Sequence, residues 1–149
     1  MESLHIDTGV KRIMVNDDPD NVIEFSPGDI SFAERFYALI REFEVKQIDY
    51  QARAAVIDAN KELDANGIPL NMAAGLAMMR EVCEFMRDKI DGLFGKDTSR
   101  KCFGDALSLD AFSQFFTQIT PFIRSARAGK IAPYTNTVTD KKRKHAVMK

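Results

Sequence analysis

The sequence has only two cysteines and two histidines, and each shortage removes a class of protein. Cys83 and Cys102 are too few for a disulfide framework, and both sit among apolar residues at helical spacing, where a reduced, buried thiol is the usual state. His5 and His145 lie near opposite ends of the chain, so a histidine general base has nothing to work with. There is no HExxH, no CxxC and no carboxylate–histidine cluster, which leaves no zinc or iron site and no call for a cofactor. No apolar run approaches the roughly 20 residues a membrane helix needs. The opening "MESLHIDTGV" lacks a basic stretch followed by an apolar one, so a cytoplasmic protein without a secretory leader is expected.

What is present is a soluble composition, 45% apolar and 29% charged over 149 residues, the size of one ordinary domain. The net charge of −1 is unevenly spread. From Arg124 onward eight Lys or Arg face a single acid, Asp140, giving +7 and leaving −8 on the rest of the chain.

Along the chain, residues 1–9 read as a flexible N-terminus. "VKRIMVN" and "VIEFS" are short β-branched and aromatic runs around the turn-forming "DDPD", which predicts a β-hairpin over about residues 10–27. The acids of "NDDPDN" lack the spacing, central glycine and closing glutamate of an EF-hand, so they read as a solvated turn. Ser31 and Glu34 form a capping-box signature. Behind them Phe32, Phe36, Leu39, Ile40 and Phe43 fall at helical spacing. The stripe then re-phases to Val45, Ile48, Ala52, Ala55, Val56, Ala59 and Leu63, which predicts a long helix, curved or broken near residues 44–50. Gly67 and Pro69 end it. After Asn71, read as an N-cap, Met72, Leu76, Met79, Cys83, Met86, Ile90 and Leu93 alternate steps of four and three, a strict heptad.

The repeated Phe-Gly of "LFGKDTSRKCFGD" could suggest a phosphate loop, but such loops join a strand to a helix. Here Gly95 and Gly104 read as C-caps around a short helix capped by Thr98, and Ser108 caps a last helix crossed by Pro121. The expected architecture is mainly α: an N-terminal β-hairpin followed by a bundle of three longer helices and one short one, a single domain over residues 10–134. A disordered basic tail, 135–149, follows.

Three surfaces are candidates for function. Met72, Met78, Met79 and Met86 gather adaptable thioether side chains on one helix, the composition of a forgiving groove for another chain's helix. Ordinary gap-filling in a core is the plainer reading of the same residues. Ile13, Val15, Val22, Ile23 and Phe25 lie on a hairpin that is marginal alone and must pack on the helices or pair with another chain. Lys141, Lys142, Arg143 and Lys144 could touch a polyanion through phosphates, or simply solubilise the chain. The alternating charges Arg80, Glu81, Glu84, Arg87, Asp88 and Lys89 read as an exposed helix face. No nucleophile stands beside a base, so an enzyme is not expected.

The blocks "VIEFSPGDISFAERFYALIREFE", "KELDANGIP" and "VCEFMRDKIDGLFGKDTSRKCFGDALSLDAFSQFFTQITPFI" resemble small proteins encoded by tailed bacteriophages and prophages of Gram-positive bacteria, over roughly residues 10–134. Those proteins look like tail assembly chaperones. The resemblance implies a protein that coats the long helical tape-measure protein until tube subunits polymerise around it. It also implies self-association, which the hairpin edge could provide as a ring or spiral. Two other roles stay open: a structural virion component of the tail or head, and a nucleic-acid-associated regulator using the basic tail.

Overall fold

The hairpin forms where two β-branched runs flank residues able to turn. In the computed structural model of the chain, which describes residues 1–126, β1 (Lys11–Val15) pairs antiparallel with β2 (Asp18–Phe25). The turn is Asn16–Asp17, both at positive φ, the backbone a two-residue hairpin loop demands and Asn and Asp tolerate. It is not "DDPD": Asp18 already pairs with Val15, and the register shifts before Met14 meets Val22. Pro19, which has no N–H to donate, falls in that irregularity.

Four helices follow. Helix α1 (Ile30–Ala59) runs unbroken through residues 44–50. Its cap is Asp29, whose carboxylate accepts from the Ser31 N–H at 2.9 Å; Ser31 lies inside the helix, so the Ser31–Glu34 box does not form. Helix α2 (Leu70–Phe94) starts after Pro69 with no side-chain cap, which corrects Asn71 as its N-cap. Helix α3 (Thr98–Phe103) is preceded by Asp97, not capped by Thr98. Helix α4 covers residues 109–126 and continues through Pro121. Its start is held by Ser108, whose Oγ accepts from the Ala111 N–H at 3.3 Å.

The core is one cluster gathered at a single end of the α1–α2 pair. Phe32 and Phe36 of α1 meet Cys83, Met86, Ile90 and Phe94 of α2, Ile23 and Phe25 of the hairpin, and Phe112, Phe115, Ile119 and Ile123 of α4. Phe94 is its hub, edge-on to Phe25, Phe32 and Phe115 at 5.2–5.5 Å, the arrangement ring quadrupoles favour.

The two Phe-Gly pairs are mechanical. Gly95 (φ 118, ψ 155) and Gly104 (φ 58, ψ −130) end α2 and α3 in backbone regions closed to other residues. The corner between them is pinned from α2. Asp91 accepts from the Ser99 N–H at 2.7 Å and from its hydroxyl at 2.9 Å, supplying α3 with a cap from another helix. Arg87 donates to the Gly104 and Ala106 carbonyls. It therefore clamps the corner, whereas its charge pattern had placed it among free surface residues.

Candidate functional site

Beyond the core, α1 and α2 continue together as an arm. Tyr50 is the only residue classed as buried between residues 44 and 81. Burial, then the charge of Glu81, raises the Tyr50 phenol above its ordinary value. The arm is held by cross-helix polar contacts: Arg53 with Glu81, and Lys89 with Glu42 at 3.1 Å. Lys46 and Lys89 both approach the Phe85 ring at 5.5 Å. Exposed pairs of this kind contribute little to stability, because water and salt screen them. They fix the arm's geometry without covering its apolar side chains.

The tip is a tight turn. Asp64 accepts from the N–H groups of Asn66 and Ile68 at 2.8 and 2.9 Å. Gly67 takes φ 80, and the Leu70 N–H reaches the Glu62 carbonyl at 2.9 Å. Leu63, Ile68 and Leu70 are thereby presented to solvent at the end of the arm.

On α2 the heptad splits in two. Cys83, Met86 and Ile90 are 0–1% exposed, whereas Met72, Leu76 and Met79, on the same helical face, are 54%, 63% and 44% exposed. Leu70 to Met79 contains no charged residue at all. Asn71 is its one polar side chain; a helix segment this apolar is normally buried, yet here only Asn71, Gly75 and Met78 are partly covered and the rest is exposed.

On α1, Tyr50, Ala54 and Ile57 are at least partly buried along the arm. The re-phased stripe lies on the opposite side: Val45, Ile48 and Val56 are 69–74% exposed, and Ala52, Ala55 and Ala59 are exposed with them. The change of phase marks a second face and no break in the helix.

The expected site residues are therefore divided. Met72 and Met79 are on the arm's surface, Met78 is half-buried, and Met86 belongs to the core and is corrected out of the surface set. Ile23 and Phe25 are buried in the core, and Ile13 and Val15 pack against it. Their side chains hold the hairpin to the helices and are spent there. Half-buried Val22 pairs with exposed Met14. Lys141, Lys142, Arg143 and Lys144 lie outside the described residues. Leu76, Leu63, Ile68 and Leu70 were not singled out for the site. The uncharged run Leu70–Met79 is the signal that marks Leu70 and Leu76.

Elsewhere the surface offers little chemistry. A cleft of about 270 Å³ lies between the hairpin, α3 and α4, lined by Ile13, Met14, Phe103, Phe115 and Phe122 with the amides of Gln114 and Gln118. Cys102 also lines it; burial, aided by Asp91, pushes this thiol up to about 11, so it is protonated and a poor nucleophile at neutral pH. Burial raises Cys83 as well. Among the described residues no three His, Cys, Asp or Glu side chains form a metal-holding group, and no helix is long and apolar enough to cross a membrane.

No curated protein and no solved structure matches the chain. A family match runs from within β2 to beyond α4: over residues 19–146 the chain belongs to DUF6673, a family of unknown function.

Proposed function

We propose that this protein is a non-catalytic binding module that holds an amphipathic helix of another protein against the arm of its α1–α2 pair. The observation that carries the reading is the uncovered heptad face of α2: Met72, Leu76 and Met79 are open to water directly beyond the buried Cys83, Met86 and Ile90. Apolar side chains at that spacing fit the apolar stripe of a second helix. Methionine adapts to irregular partners. The absence of charge from Leu70 to Met79 favours an oily client over an acidic or basic one. The resemblance to tail assembly chaperones supplies a client class with these properties, the long helical tape-measure protein. Holding it soluble before tube assembly is the role proposed, in the cytoplasm of a bacterial host.

The test is co-expression with a tape-measure protein of a tailed phage of Gram-positive bacteria. The wild-type chain should keep that protein soluble and co-elute with it, and the Met72→Glu/Leu76→Glu/Met79→Glu variant should do neither while keeping its helical circular dichroism. A tape-measure protein that stays soluble alone, or a triple variant that performs as well as wild type, would refute the reading.

A further inference from the structure

The cleft between the hairpin, α3 and α4 takes no part in the client surface on α2, and its walls point to a different occupant. Ile13, Met14, Val15 and Asn16 all line it, against Ile23 alone from β2. Consecutive residues of a strand project to opposite faces, so a cleft that touches four in a row meets β1 edge-on. That edge has no strand beside it among the described residues, and an open edge of this kind is a template for an added strand. The opposite wall is α4, where Gln114 and Gln118 bring amides that can both donate to and accept from a passing backbone.

The cleft also has a direction. Phe25, which pairs with Lys11 at the open end of the hairpin, meets the Phe122 ring near the end of α4 at 6.3 Å. Asn21, near the hairpin turn, donates to the Lys101 carbonyl of α3 at 2.6 Å, shortly before α4 begins. Helix α4 therefore runs from the turn of the hairpin towards its open end. The chain that follows residue 126 starts where the cleft starts.

That remaining chain fits the path in length, composition and charge. Ala111 to Phe122 spans about 17 Å of helix, and the six residues Tyr134 to Thr139 cover about 20 Å when extended. Their sequence, "YTNTVT", is rich in β-branched residues with one aromatic, the composition strands favour. Gly129 and Pro133 ahead of it suit a reversal of the chain. Next come Lys141, Lys142, Arg143 and Lys144. The far end of the cleft is the hairpin turn, where Asp17, Asp18 and Asp20 are exposed and, among the described residues, in no ion pair. Opposite charges thus meet at the end of the path. The family match runs on through residue 146, so this segment belongs to the same unit as the cleft.

We infer that residues 134–144 of this chain occupy the cleft as a strand parallel to β1, with the basic run on the acidic hairpin turn. The cleft's occupant is the protein's own C-terminal segment, and its basic residues are spent within the chain. None of the client-facing residues takes part, so this inference and the proposed function can fail separately.

The experiment uses the full chain at low concentration. A carbodiimide joins a carboxylate to an amine only where the two touch. It should link Lys141, Lys142 or Lys144 to Asp17, Asp18 or Asp20 within one chain, read by mass spectrometry of the digested monomer. Hydrogen exchange is the second measurement. Lys141→Glu/Lys142→Glu/Arg143→Glu/Lys144→Glu should speed exchange of the β1 amides roughly tenfold with unchanged helical circular dichroism, and adding Asp18→Lys/Asp20→Lys should restore their protection. Cross-links that are absent, or that run only between two copies, overturn the inference. So does β1 exchange that ignores the first charge reversal or is not restored by the second.

Discussion

Two truncations on one face of α2 give the account its sharpest energetic contrast. Leu76 and Ile90 occupy equivalent positions of the same heptad, but Leu76 is 63% exposed and Ile90 is 0% exposed. Ile90→Ala removes methyl groups from the closed cluster around Phe36, Met86 and Phe94, which costs about 2–5 kcal/mol once the cavity is included. Leu76→Ala removes a side chain whose area is only about a third hidden, so of the roughly 2–3 kcal/mol that full burial provides it forfeits about 1 or less. Alanine's higher helix propensity returns a few tenths of that. The assay is urea unfolding followed by circular dichroism, with protein concentration held fixed because self-association would otherwise shift the midpoint. For a chain of this size each kcal/mol moves Tm by about 2–4 °C, so the two variants should melt visibly apart. If Leu76→Ala were as costly as Ile90→Ala, the arm's face would already be covered in the free protein, and the reasoning from its exposure would be wrong.

Other outcomes follow from single contacts. Asp91→Ala should lose about 1–2 kcal/mol in the same assay, because the Ser99 N–H and hydroxyl lose their acceptor while Ser99 stays buried; Asp91→Asn should lose less. Asp17→Gly should stabilise by about 0.5 kcal/mol, since Asp17 holds φ 58 and glycine takes that backbone without strain. The Cys102 thiol is raised from 9.0 to about 11 chiefly by burial. As pH climbs through that interval the unfolded chain releases the thiol proton before the folded one does, so this residue makes stability fall with rising pH. Native labelling by a thiol reagent should stay slow at pH 8 and quicken about tenfold per pH unit towards 11; fast labelling at pH 8 would contradict the burial.

Element order was legible because it rests on local signals. The hairpin, the long first helix, the heptad helix, the glycine-ended corner and Ser108 as a cap all follow from periodicity and turn residues within a few positions of each other. The missed details depend on contacts distant in sequence. Asp91 caps α3 across a turn of chain, and Arg87 reaches carbonyls beyond α3, so neither looks different from an ordinary surface charge in the sequence. Asp29 took the cap expected of Ser31 because both residue types serve there, and tertiary packing chose the start of the helix. The candidate site was half legible. A heptad states which face of α2 is apolar but not where along the helix its cover ends, so Met86 and Met72 read alike. Likewise the stripe from Val45 to Ala59 reads as a phase shift until the opposite face of α1 is seen packing inward through Tyr50, Ala54 and Ile57.

The methyl groups of the methionines can report directly whether the arm is where a client binds. With 13C-methyl methionine in the intact chain, adding a helical segment of the tape-measure protein should shift or broaden Met72 and Met79 and leave the core methyl of Met86 and the hairpin methyl of Met14 in place. Saturating client that leaves Met72 and Met79 unmoved, or that perturbs Met14 at the cleft instead, would contradict the claim that this protein works through the uncovered end of its own heptad.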